Sequence, residues 1–173
     1  TQCYVAAAAQ VGAFSTGIGN TDAGFVMGTG KMLAKVPETL RFVLNGKKPD
    51  HITAKDMILR IIGDIGVDGA TYCAMEFIGE AVTALSIDER ITICNMAVEA
   101  GAKNGIIPPD EKTIEYVKSR TNKPFTPVYG DPDAPVLKTY TYDVSTFEPC
   151  VAKPHLPSNY APARETTHVK LAR

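Results

Sequence analysis

The feature that most constrains this chain is the order of its punctuation between residues 39 and 120. Leu40, Phe42 and Leu44 alternate with Thr39, Arg41 and Val43, the period-two pattern of a half-buried strand, and Asn45-Gly46 closes it. Thr53 with Asp56 three residues on is close to a capping box and opens a helix. Ile58, Ile61, Ile62 and Ile65 then recur at i, i+3, i+4 and i+7 until Gly66 stops it. Ala74 to Ile78 reads as a short buried strand. Ser86 and Glu89 form a full capping box for a helix through about Ala100, with Ile87, Ile91, Cys94 and Val98 as its apolar stripe and Gly101 as its end. A strand at Asn104–Ile107 and a helix at Asp110–Arg120, begun after Pro108-Pro109, complete the run. Strand alternating with helix predicts an α/β layer rather than a bundle or a sandwich.

The flanks have a different texture. Val11 to Gly30 holds six glycines, and Asp22 is its only charge. Asn20 or Thr21 can cap a helix that begins near Asp22 and runs through Phe25, Val26 and Met27 to about Leu33. Gly24 and Gly28 would give it one smooth face, and Pro37 blocks its continuation. After Arg120 the chain turns proline-rich: eight of its twelve prolines lie between residues 124 and 162, interrupted by the alternating strand pattern Leu137–Tyr142. That segment reads as a long connection, wrapped on a surface or leading into another domain.

At 173 residues the chain is long enough for one ordinary domain. Eighteen Lys plus Arg oppose nineteen Asp plus Glu, so no basic field favours nucleic acid or anionic lipid as a partner. No apolar run approaches the length of a transmembrane segment. Cys3, Cys73, Cys94 and Cys150 lie 70, 21 and 56 residues apart, which excludes a Cys-x-x-Cys motif and fits a reducing compartment. Gly17-Ile18-Gly19 lacks the third glycine of a dinucleotide loop, and Gly30-Lys31-Met32 lacks the Ser or Thr of a phosphate loop. His51, His155 and His168 are scattered. Asn95 and Glu99 are four residues apart at the edge of the Ser86-capped helix's apolar stripe, where an amide and a carboxylate either satisfy local backbone or point into a site.

The segment Thr92-Ile93-Cys94-Asn95-Met96-Ala97-Val98-Glu99-Ala100-Gly101-Ala102 resembles the part of aconitase-family hydro-lyases that carries an Asn and a Glu into the active site. Gly12-Ala13-Phe14-Ser15-Thr16-Gly17-Ile18-Gly19-Asn20-Thr21-Asp22, Ile52-Thr53-Ala54-Lys55-Asp56, Gly69-Ala70-Thr71-Tyr72, Met75-Glu76-Phe77 and Asn104-Gly105-Ile106-Ile107-Pro108-Pro109-Asp110 agree with it. Within that family the chain is most similar to the isopropylmalate dehydratase large subunits of leucine biosynthesis, in their plant and algal forms. The resemblance implies an aconitase-like α/β fold: residues 1–36 from the end of the first domain, 37–150 as the second domain with a mixed sheet and helices, and 151–173 leading into the third. It also implies a hydro-lyase with a [4Fe–4S] cluster held by three cysteines. Asn95 would lie close to that cluster, and Glu99 would face the bound substrate or water.

The departures from the family shape what is expected of the chain. The family's Asp-Ser-His-Thr motif should fall near residues 2–5, where Gln2, Cys3, Tyr4 and Val5 stand, followed by the run Ala6–Ala9. None of the four cysteines occupies a cluster-ligand position, so no cofactor-binding or metal-binding residue is expected in this chain. The isolated chain is expected to be inactive. It reads as a truncated, degenerate family member serving as a structural or accessory subunit, with protein partners covering its exposed surfaces. The alternatives are a fragment of an active dehydratase large subunit and, third, a small module binding an organic acid on its Asn95–Glu99 face. A plastid location follows if the chain is plant- or algal-like, and a cytoplasmic one otherwise.

Overall fold

A computed structural model describes residues 14–166. The replaced stretch Gln2–Val5, the alanine run after it, and His168 lie outside the described residues. In chain order the elements are α1 (Asn20–Thr29), β1 (Thr39–Asn45), α2 (Ala54–Ile65), β2 (Ala74–Ile78), α3 (Glu80–Ala84), α4 (Ile87–Met96), β3 (Asn104–Ile106), α5 (Glu111–Lys118), β4 (Lys138–Asp143), β5 (Cys150–Ala152) and β6 (Tyr160–Pro162). Turns of 3₁₀ helix follow α4, β4 and β6 at Ala97–Ala100, Val144–Thr146 and Ala163–Thr166.

The α/β layer is present, in the strand order β3-β2-β1-β4. The two kinds of pairing expected of a mixed sheet are kept apart. All four strands of this sheet run parallel, and antiparallel pairing is confined to the separate ribbon β5–β6. The period-two pattern of β1 buries Leu40, Phe42 and Leu44 against the helices. Phe42 stacks between its register partners Phe77 and Tyr140, at ring-centroid distances of 5.4 and 5.0 Å. Full burial of a side chain of this size stabilises by roughly 1.5–3 kcal/mol, so this three-strand stack is a principal weight in the core. On the opposite face Arg41 and Glu76, also register partners, form an ion pair at 2.7 Å. Residues 128–136 cross that face and enclose a cavity of about 610 Å³ with it.

Both capping boxes form. The Thr53 hydroxyl accepts the Asp56 N–H while the Asp56 carboxylate accepts the Thr53 N–H, and Ser86 and Glu89 repeat the arrangement. The stripe expected on α4 is corrected: its buried positions are Arg90, Ile93 and Cys94, continued by Ala97, while Ile87, Ile91 and Val98 are half-buried. An arginine takes the inward place because partners await its guanidinium there, which rotates the buried face away from the isoleucines. At α1 Gly19 is the N-cap, rather than Asn20 or Thr21, and Gly30 in the left-handed region ends the helix at Thr29. None of its residues is buried. The ribbon β5–β6 and the short α3 were not expected, and the ribbon packs on α2, where a Cβ on Gly63 would lie 2.5 Å from Tyr160 Cβ.

Candidate active site at the amino edge of the sheet

Helix α4 connects the two edges of the sheet. Its capped start lies at the carboxyl edge, where Glu89 pairs with Lys48 just beyond β1 at 3.4 Å. Its last turn reaches the amino edge. The Ala70 N–H donates to the Ala100 carbonyl (2.9 Å) and the Tyr72 N–H to the Gly101 carbonyl (3.1 Å), immediately before β2 begins. Gly101 closes the turn at φ 82°, where a Cβ would press on Thr71.

That last turn carries Asn95 and Glu99. The helix expected through Ala100 stays α-helical only to Met96 and continues as a 3₁₀ turn. At three residues per turn the 3₁₀ segment rotates Glu99 past the position directly above Asn95, so the pair is adjacent but not stacked. Asn95 is half-buried and Glu99 exposed, and among the described residues neither side chain has a hydrogen-bond or ion-pair partner.

Beside this turn lies a small cavity of about 170 Å³, bounded among others by Thr16, Asp22, Lys35, Tyr72 and Lys103. Tyr72 is the only non-glycine residue with positive φ among the described residues, at 58°. For a residue with a Cβ that conformation costs about 1–2 kcal/mol. The Lys103 ammonium sits 4.6 Å from the centroid of the Tyr72 ring, an exposed cation–π contact worth roughly 0.5–1 kcal/mol. The Tyr72 hydroxyl oxygen accepts the Lys35 N–H at 3.4 Å, which leaves its own O–H free to donate. Thirty-one positions separate Tyr72 from Lys103, and nothing in their spacing signals that they meet. Next to Lys103, Asn104 is 6% exposed, and both its amide atoms lack partners among the described residues.

The described cysteines do not suit an iron–sulfur cluster. Burial pushes the Cys94 thiol up to about 12, only partly offset by Arg90. Burial and then the hydrogen bond to Asp56 push Cys150 up to about 12, and burial with the charge of Glu38 raises Cys73. Cluster ligands are thiolates, whereas these are separate thiols on α4, β5 and the approach to β2. Among the described residues no group of three or more His, Cys, Asp or Glu side chains could hold a metal ion. No described helix is long and apolar enough to cross a membrane.

The family model "Aconitase family (aconitate hydratase)" matches residues 6–172. The chain is 57% identical over 173 residues to a protein of Arabidopsis thaliana named "3-isopropylmalate dehydratase large subunit, chloroplastic", which covers all of this chain and 34% of that protein. Proteins named "3-isopropylmalate dehydratase large subunit" from Hydrogenobaculum sp. (strain Y04AAS1) and Clostridium kluyveri are 52% and 54% identical over 161 residues, covering 93% of this chain and 38% of each relative. The chain thus spans somewhat over a third of the length of such relatives.

Proposed function

Because the chain belongs to the aconitase family, we propose that it is the part of a 3-isopropylmalate dehydratase-type hydro-lyase that brings Asn95 and Glu99 to the reacting centre. The observation that carries this reading is that the Asn95–Glu99 pair has no hydrogen-bond or ion-pair partner among the described residues of a chain 57% identical throughout to such a large subunit. Residues 37–150 would form the second of the family's domains, between 1–36 from the first and 151–173 leading to the third. In a dehydration a proton leaves the carbon next to a carboxylate, the hydroxyl departs from the neighbouring carbon, and a double bond forms. Returning water with the two positions exchanged gives the isomer. The Glu99 carboxylate suits the proton transfer, because a positioned carboxylate can accept and return a proton. The Asn95 amide suits a hydrogen bond to a substrate oxygen. A cluster of the family's kind would be held by residues other than those described here.

Glu99→Ala in the assembled enzyme tests the reading. A fall in turnover of roughly 10²–10⁴-fold with unchanged folding supports it, and unchanged turnover sinks it.

A second reading, a degenerate family member acting as a structural or accessory subunit, is favoured by the apolar surface around α1. Met27, Leu33 and Val36 are each at least 85% exposed, which suits a face covered by a protein partner. On that reading Glu99→Ala changes nothing, while Leu33→Asp releases the partner in size-exclusion chromatography. The relatives' name, a large subunit, supports a smaller subunit as that partner. The chloroplastic name of the Arabidopsis relative supports a plastid location.

A further inference from the structure

We propose that the cavity at the amino edge is a carboxylate-binding subsite for a small hydroxy-dicarboxylate, with Lys103 as the charge partner and Tyr72 as the hydroxyl donor. The choice of ligand rests on the hydro-lyase reading, and the rest stands on the geometry.

Tyr72 holds a backbone conformation whose cost exceeds what its contact with Lys103 returns, so the stacked pair is not explained by its own stability. Strain of this kind persists where surrounding structure enforces it and collects at ligand sites. Here the Gly101 carbonyl holds the Tyr72 N–H, and the Lys35 N–H holds the phenol oxygen. The ring is therefore fixed at both ends, and among the described residues its O–H has no acceptor. Lys103 and Lys35 bring two positive charges to the cavity against the single carboxylate of Asp22, and among the described residues none of the three has an ion-pair partner. A carboxylate there can accept from the phenol and the Lys103 ammonium together, the pairing that charge-assisted hydrogen bonds favour. Its volume of about 170 Å³ suits a small acid rather than a nucleotide. Lys103 follows Glu99 by four residues across the Gly101 turn, which places the subsite beside the proposed proton-transfer group.

The test is titration of the isotope-labelled chain with 2-isopropylmalate, followed through the amide resonances of Tyr72, Gly101 and Lys103. These resonances are expected to shift together and give one Kd. Lys103→Gln is expected to raise that Kd about tenfold or more and Tyr72→Phe about threefold, with Lys103→Arg staying within threefold of the parent. Inorganic phosphate at tenfold excess is expected not to displace the acid. Absence of shifts at these residues, a Kd unmoved by Lys103→Gln in a variant with the parent's melting curve, or equal displacement by phosphate overturns the subsite. If turnover falls in Glu99→Ala while Lys103→Gln binds normally, the subsite is wrong and the hydro-lyase reading stands. If binding depends on Lys103 while Glu99→Ala keeps full turnover, the subsite stands and the hydro-lyase reading is wrong.

Discussion

At the carboxyl edge of the sheet Arg90, Glu89, Glu80 and Lys112 are held by ion pairs or by backbone groups. The Arg90 guanidinium, 1% exposed, makes two hydrogen bonds to the Asp110 carboxylate at 2.8 and 2.5 Å and others to the Thr113 hydroxyl and the Thr83 carbonyl. Glu89 serves both the capping box and Lys48, Glu80 accepts the Gly46 N–H, and Lys112 donates to three carbonyls at the end of α3. At the amino edge Glu99, Lys103, Lys35 and Asp22 have no ion-pair partner among the described residues, and Tyr72 is strained. Ligand sites in open α/β sheets usually lie outside the carboxyl ends of the strands. Here the carboxyl edge carries the hydrogen-bond network around Arg90, whose Nε alone lacks a partner among the described residues. Glu99, Lys103, Lys35 and Asp22 at the other edge make no ion pair among those residues.

This contrast can be broken by mutation. Arg90→Ala should cost the most, about 3–5 kcal/mol in urea unfolding, because it strips the partner from a carboxylate and empties a buried position. A loss under 1 kcal/mol would mean the carboxyl edge is not held by its charges. Acid comes next. The Arg90 guanidinium, against the opposing effect of burial, draws the Asp110 carboxyl down to about 2 from its ordinary 3.8. A depressed folded-state value stabilises above the unfolded one, so this contribution is complete above pH 4. It is lost as pH falls from about 4 to 2, by an amount on the order of 2 kcal/mol. Stability unchanged across that window in the parent would mean that the pair does not hold this edge. Ser86→Ala should cost about 1 kcal/mol by opening the α4 capping box, read as a lowered denaturation midpoint. The smallest effect belongs to the amino edge: Glu99→Ala should leave stability within about 0.5 kcal/mol. A larger loss would show that Glu99 supports the fold after all.

What could be read in advance was what is local. The Ser86–Glu89 and Thr53–Asp56 caps lie within three residues, and β1 and α2 carry clean periods, so their starts and buried faces are visible in one window of chain. The face of α4 was not, because Arg90 is inward-facing only through Asp110, twenty residues later, and no local pattern favours an arginine over Ile87 or Ile91. The strands β5 and β6 have three residues each, and β6 ends in Pro162, so both are too short for a period to register. Asn95 and Glu99 could be singled out because only four residues separate them along one continuous capped segment. Tyr72 and Lys103 could not: a left-handed tyrosine has no composition cue, and the lysine arrives from the far side of α4.

The strand order also governs how the chain can assemble. β1 is an interior strand only because β4 joins it, Leu40 opposite Lys138 through Asn45 opposite Asp143. On a ribosome β1, β2 and β3 would all emerge before β4 exists. Until then the backbone of Thr39–Asn45 presents an unpaired flank, next to which Phe42 lacks the Tyr140 ring that later covers it. Closing a loop of that length is slow relative to local helix formation, and open strand flanks recruit other chains. In the interval between synthesis of residues 45 and 138 the flank of β1 is therefore open to pairing with another chain.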